Sequence, residues 1–152
     1  MIIDGSNVGM DLFEQLVWGN VTVLYVEDDN VTRSFISKEL KNNIKHLHTA
    51  KNGLEALTKF YEYKPNIIIT DLVMPDMTGN QLERELRSKG VNCPIIVTTS
   101  LEDTKGILEL VELGIEKYII KPINVDELKD AIIKIGKKYM FFDTGKYINN
   151  NA

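Results

Sequence analysis

Three consecutive isoleucines that run into an aspartate, Ile67-Ile68-Ile69-Thr70-Asp71, constrain the fold of this chain more than any other stretch. An unbroken β-branched run predicts a strand buried on both faces, as in a parallel sheet; a half-exposed strand would alternate apolar and polar residues. The aspartate then stands at the strand's C-terminal edge, and Leu72-Val73-Met74-Pro75 turns the chain away. That edge is where open α/β sheets place their ligands, so a lone ionisable group such as Asp71 reads there as chemical and not as decoration. An Asp that merely caps the following turn satisfies the same local pattern, and the stretch alone does not separate the two.

On either side of that strand the pattern repeats. Strands are predicted at residues 21–26, 47–50, 67–71, 94–99 and 117–121, and helices at about 30–43, 53–63, 78–88, 103–113 and 124–140. Pro65, Gly90 and Gly114 punctuate the helix ends, Thr78 suits a helix cap, and Asn124 opens the last helix. Five strand–helix units predict an α/β fold, a doubly wound five-stranded parallel sheet with right-handed crossovers and helices on both faces. This unit occupies residues 21–141. Ahead of it, residues 1–20 form an extension in which Asp4-Gly5-Ser6-Asn7 is turn-like. Leu12, Phe13, Leu16 and Val17 then fall at helical spacing. That short amphipathic helix docks on the domain, ends an upstream module or makes a dimer contact; the sequence leaves all three open. Residues 142–152 are a tail too poor in apolar side chains to pack.

Several functions are disfavoured by composition. Eighteen basic and 22 acidic residues give a net charge of −4 with no basic run, so no direct nucleic-acid partner is expected. Cys93 is the single cysteine, read as a small buried apolar residue in a reducing compartment. No stretch approaches the roughly 18 apolar residues of a membrane span, and the N-terminus lacks the basic start of a secretory signal. A cytoplasmic location and no membrane partner are expected. His46 and His48 lie by the second strand, outside any pocket at the strand ends, and read as surface or edge residues.

In a parallel sheet every strand delivers its C-terminus to one edge. Glu27, Asp28 and Asp29 follow the first strand, Asp71 the third, Thr99 and Ser100 the fourth, and Lys121 the fifth. Converging carboxylates repel one another unless a cation neutralises them, and hard oxygen ligands suit Mg²⁺ (or Mn²⁺). A lysine adds a fixed positive charge and a threonine a donor, a set able to stabilise a phosphoryl group on a carboxylate. Taken alone, Glu27-Asp28-Asp29 is equally a solvated turn in which Asp29 or Asn30 caps a helix; the joint arrangement favours a site.

Four motifs in this order resemble the receiver domain of two-component response regulators. Val26-Glu27-Asp28-Asp29 resembles its acidic turn, and Thr70-Asp71-Leu72-Val73-Met74-Pro75-Asp76-Met77-Thr78-Gly79 its phosphoacceptor loop. Val97-Thr98-Thr99-Ser100 resembles its switch strand, and Tyr118-Ile119-Ile120-Lys121-Pro122 its aromatic-to-Lys-Pro end. The likeness spans roughly residues 20 to 140. It implies a flavodoxin-like (βα)5 sheet of strand order 2-1-3-4-5 and phosphorylation of Asp71. Asp28, Asp71 and the Val73 carbonyl would ligate Mg²⁺ directly, Glu27 through water, with Asp29 outside that set. Lys121 would pair with the phosphoryl oxygens from a bond to Pro122 that the family holds cis, Thr99 would swing in, and Tyr118 would follow as readout. Thr78 departs from the family's frequent acid before the glycine, but a hydroxyl caps a helix equally well.

The implied partners are a sensor histidine kinase or phosphotransfer protein and a downstream protein or effector domain. A homodimer would use the face of the fourth repeat helix, the fifth strand and the last helix. Such a chain catalyses only its own phosphorylation and dephosphorylation. The tail leaves no room for a second folded domain, so a stand-alone receiver acting by protein contact, or a piece of a longer regulator or hybrid kinase, is expected. An aspartyl-phosphate phosphohydrolase is the alternative, but it resembles an Asp-X-Asp motif, and here the second position is Val73. A nucleotide-binding module would need a Gly-rich loop after the first strand, where three acids stand instead. Gly106, in the first turns of the fourth repeat helix, predicts a mobile element. Val73 and Leu101, two positions beyond Asp71 and Thr99, are placed by the resemblance at the pocket rim, where apolar side chains leave an attacking water unoriented and predict slow hydrolysis.

Overall fold

The computed structural model describes residues 11–151, with side chains for residues 11–103 and 106–139. The turn expected at Asp4-Gly5-Ser6-Asn7 lies outside this range. Elements run α1 (Leu12–Asn20), β1 (Thr22–Val26), α2 (Asn30–Leu40), β2 (His46–Ala50), α3 (Gly53–Tyr63) and β3 (Ile67–Asp71). Next come α4 (Gly79–Ser88), β4 (Ile95–Thr99), a 3-10 segment (Leu101–Gly106), α5 (Ile107–Leu113), β5 (Lys117–Ile120) and α6 (Val125–Asn151). The five strands are parallel in the order β2-β1-β3-β4-β5.

Alternation along each strand builds two apolar layers. Val23, Tyr25, Ile67, Ile69 and Ile96 face Ile36 and Leu40 of α2 and Leu128 and Ile132 of α6. Leu24, Val26, Ile68, Ile95 and Val97 face Phe60, Leu82, Leu86 and Leu110 of α3, α4 and α5. Every residue of β3 is buried, as its isoleucine run predicts. Side-chain caps start the helices: Asp29 for α2, Asn52 for α3, and Thr78 for α4, where Gln81 reaches back to complete a capping box. Gly114 closes α5 at a φ of 90°, a conformation in which a side chain would be strained.

Four expectations need correction. The helix predicted at 103–113 is divided, a 3-10 turn giving way to α5 at Gly106. The Asp103 N–H bonds back to the Ser100 carbonyl, three residues away, and the Ser100 hydroxyl binds Asp103 Oδ2 at 2.6 Å, so the entry is wound tightly. The second helix stops at Leu40, short of 43. The last helix continues to Asn151, past the end expected near 140, because no proline follows Pro122 to stop it. Finally, α1 buries Val17 and Trp18, while Leu12, Phe13 and Leu16 stay exposed. Helix α1 does dock on the domain: Val17 lies so close to Gly136 of α6 that a Cβ there would fall 2.5 Å from Val17 Cγ1. No helix of the described residues is long and apolar enough to cross a membrane.

Candidate phosphoryl-acceptor site

At the C-terminal edge of the sheet, Asp71 ends β3 with only 7% of its surface exposed. Lys121, just beyond β5, places its Nζ 2.7 Å from Asp71 Oδ2 and 2.9 Å from Glu27 Oε1. The Lys121–Pro122 bond is cis. Glu27, just beyond β1, is 1% exposed, and burial pushes its carboxyl upward against the opposing pull of Lys121. Burial alone would lower the Lys121 ammonium, but its hydrogen bonds to Asp71 and Glu27 prevail and raise it. A half-buried cation shared by two buried carboxylates is thus the electrostatic centre of this edge.

Asp28 is exposed, and one oxygen from each of Glu27, Asp28 and Asp71 lies within 4.8 Å of the others. Hard carboxylate oxygens without a nitrogen or sulfur donor fit Mg²⁺ or Mn²⁺. Both oxygens of Glu27 are already engaged, Oε1 with Lys121 and Oε2 with the Asp29 N–H at 3.2 Å. Asp28 has no such partner among the described residues. Asp29 turns away, its carboxylate accepting from the Thr32 N–H at 2.8 Å and the Thr32 hydroxyl at 2.6 Å.

Among the described residues, none of the remaining predicted ones makes a side-chain hydrogen bond to Asp71. Thr99 is fully buried, and its hydroxyl donates to the Ser100 carbonyl at 3.2 Å. Tyr118 faces outward on β5, 45% exposed. Val73 and Leu101 are also exposed, and the Val73 N–H approaches Asp71 Oδ1 at 3.4 Å. His46 is exposed, and His48 stacks on Tyr63 with ring centroids 3.7 Å apart, both on the edge strand away from the pocket. Cys93 is only partly exposed; its thiol donates to the carbonyls of Pro65 and Asn66, and burial pushes it up to about 12.

Three residues to which the sequence reading gave no role of their own shape the site's frame. Arg33 of α2 donates from Nη1 to the Glu27 carbonyl at 2.8 Å. Asp76 accepts from the backbone N–H groups of Gly53 and Leu54, each at 2.9 Å, and so ties the loop after Asp71 to the start of α3. Gly79 packs under Asp71 so tightly that a Cβ would lie 3.1 Å from the Asp71 carbonyl oxygen and 3.2 Å from Leu72 Cα. Only an acid followed by a small residue at the turn hints at the last two; Arg33 carries a signal solely in its place one turn into the helix after the acids.

With this geometry in place, the family model described as the response regulator receiver domain matches residues 23–133. The response regulator protein VraR of Staphylococcus epidermidis is 29% identical over 116 residues, which make up 75% of this chain and 56% of that protein. A cyclic di-GMP phosphodiesterase of Thermotoga maritima is 30% identical over 109 residues, 72% of this chain and 29% of that protein. Among solved structures, the receiver domain of Francisella response regulator 1452 superposes with a TM-score of 0.72 at 30% identity, covering 78% of this chain and 98% of the other. This chain thus spans little more than half the length of the first relative and under a third of the second.

Proposed function

The chain belongs to the response regulator receiver family, and from that premise we propose that Asp71 accepts a phosphoryl group from a phosphohistidine of a sensor histidine kinase or phosphotransfer protein. The observation that carries this reading is the buried Asp71 carboxylate held 2.7 Å from the Lys121 ammonium beside two further acids. In the transfer, an Asp71 oxygen bonds to phosphorus as the P–N bond breaks, and the departing imidazole keeps the electron pair and takes up a proton. Asp28, Asp71 and the Val73 carbonyl would hold Mg²⁺ (or Mn²⁺), which supplies charge neutralisation for the carboxylates and the incoming phosphate. Glu27, with both oxygens engaged, would act on that ion through water. Lys121 pairs with a phosphoryl oxygen in place of the Asp71 oxygen it now holds.

The response reaches the surface through Thr99. Its present bond to the Ser100 carbonyl, 3.2 Å, is long for a hydroxyl donor, so re-aiming it toward a phosphoryl oxygen sacrifices little. Tyr118 then moves inward and the face of α5, β5 and α6 changes, presenting a new surface to a downstream protein, an effector domain or a second copy. Val73 and Leu101 flank the approach of water and offer no side-chain acceptor, which favours a long-lived phosphoryl group. The aspartyl-phosphate phosphohydrolase alternative lacks its second acid, since Val73 stands there.

Incubation with Mg²⁺ and acetyl phosphate followed by intact-mass measurement tests the assignment. Wild-type protein gains one phosphoryl group and Asp71→Asn gains none; equal gain by both would place the acceptor elsewhere. Decay of the phosphorylated form is expected to quicken in the Val73→Asn, Leu101→Glu double variant, and an equal or slower decay would remove the rim from the account of lifetime.

A further inference from the structure

We infer that Arg33 is a positioning residue that presets the acidic turn for its divalent cation, an inference that rests on the metal-dependent reading above. The argument is an accounting of the polar atoms of the turn. At Glu27 the N–H donates to the Ala50 carbonyl at 3.0 Å, the carbonyl accepts from Arg33 Nη1 at 2.8 Å, Oε1 from Lys121 at 2.9 Å and Oε2 from the Asp29 N–H at 3.2 Å. At Asp29 the carboxylate accepts twice from Thr32, and the carbonyl accepts from the Arg33 N–H at 2.9 Å. Asp28, between these two pinned residues, is exposed and free of protein partners among the described residues. Its backbone is therefore fixed while its carboxylate remains available.

Among the described residues, Arg33 binds the turn at both ends. Its backbone N–H takes the Asp29 end, and its guanidinium takes the Glu27 end. Its second guanidinium nitrogen, Nη2, is itself anchored on Asn30 Oδ1 at 2.6 Å, so the planar fork is held in one orientation. Lysine has the charge but not the fork. A cation-binding turn assembled in advance loses little conformational freedom when the ion arrives, and that saving appears as affinity.

Charge alone makes the opposite prediction, and this makes the role testable. A guanidinium beside a cation site repels the incoming ion, so neutralising it would strengthen binding if Arg33 acted only through its field. Mg²⁺ affinity of the unphosphorylated full chain, measured by calorimetry, separates the two. Arg33→Met and Arg33→Lys are both expected to weaken binding about fivefold, the scale of one lost hydrogen bond in the turn, while the metal-free melting curve of Arg33→Lys stays near wild type. Asn30→Ala, which frees the fork without altering charge, is expected to weaken binding in the same direction by less. Tighter binding by Arg33→Met, or wild-type affinity in both Arg33→Lys and Asn30→Ala, overturns the inference. If Arg33→Met does not fold, the latter two variants still decide. Wild-type protein that binds no Mg²⁺ would overturn both this inference and the metal-dependent reading, whereas binding without phosphorylation would overturn only the acceptor assignment.

Discussion

The two flanks of Asp71 are built on opposite plans. On the β1 side, Glu27 and Asp29 are tied by backbone and side chain on either side of an unengaged Asp28, and Asp29 caps the helix that follows. On the β4 side, Thr99 spends its hydroxyl on the next residue's carbonyl, the chain enters a 3-10 turn, and α5 begins at Gly106 with no side-chain cap. Besides apolar packing, two polar ties from α4 hold α5: Asn80 Nδ2 donates to Glu109 Oε2 at 2.5 Å, and Arg84 pairs with the same carboxylate. A flank that must bind an ion gains from being preset, and a flank that must report a change gains from low local stability. On the function proposed above, the tied flank would bind the ion and the looser flank would switch.

The largest disturbance should come from the floor that both flanks share. Gly79 carries the first helical turn of α4 against the backbone at Asp71 and Leu72, and its N–H binds the Leu72 carbonyl at 2.7 Å. A bulky side chain there meets backbone atoms, which cannot rotate away. Gly79→Val is expected to lose about 2 kcal/mol in urea unfolding, the scale of overpacking. Loss below about 0.5 kcal/mol would mean that the loop yields, and the picture of a rigid floor would fail.

Much of this frame was legible in the chain itself, and the parts that were not share a cause. The isoleucine run placed β3 at its observed bounds, and the apolar spacing with Pro65 placed α3 at residues 53–63. Local pattern is enough where one segment's own residues decide its state. The contacts of Asp76 with Gly53 and Leu54 join positions more than 20 residues apart and leave no periodic trace. The docking of Val17 depends on the space that Gly136 leaves in α6. Likewise, a glycine at 106 announces weakness, but its close packing is visible only in the fold, where a Cβ at that position would lie 3.3 Å from Leu72 Cδ2. For the site, the strand-end residues Glu27, Asp28, Asp71 and Lys121 were readable because parallel topology alone brings them to one edge. Arg33 needed the geometry.

A smaller effect sharpens the contrast between capped and uncapped helices. Asp76 caps α3 from outside the helix, and although partial burial pulls its carboxyl upward, the N–H groups of Gly53 and Leu54 outweigh this and hold it below its ordinary value of 3.8. A depressed carboxyl favours the folded state above the unfolded value and loses that contribution as pH falls through the folded one. Asp76→Ala should therefore reduce stability by about 1 kcal/mol at pH 7, the usual worth of a cap. The gap between wild type and variant should close as pH drops below 3.8. A gap that is constant across that range would show that Asp76 acts by packing and not by charge.

The smallest expected effect on global stability is also the most selective in place. Glu109 is the acceptor for both ties from α4, but its side chain is 41% exposed and that of Arg84 57%, so solvent screens the ion pair. Glu109→Ala should consequently change the unfolding free energy by less than about 1 kcal/mol. Its local consequence should be larger, because α5 has only seven residues, no side-chain cap, and a glycine at its entry. Too short to be stable alone, such a helix depends on what it packs against. Leu110 is fully buried and still anchors the inner face, so α5 should loosen without unfolding. Amide exchange in residues 107–113 is expected to quicken several-fold while residues 30–40 of α2 keep wild-type protection. Equal acceleration in both helices would erase the distinction between the flanks, and no change in α5 would show that apolar packing alone sets its position.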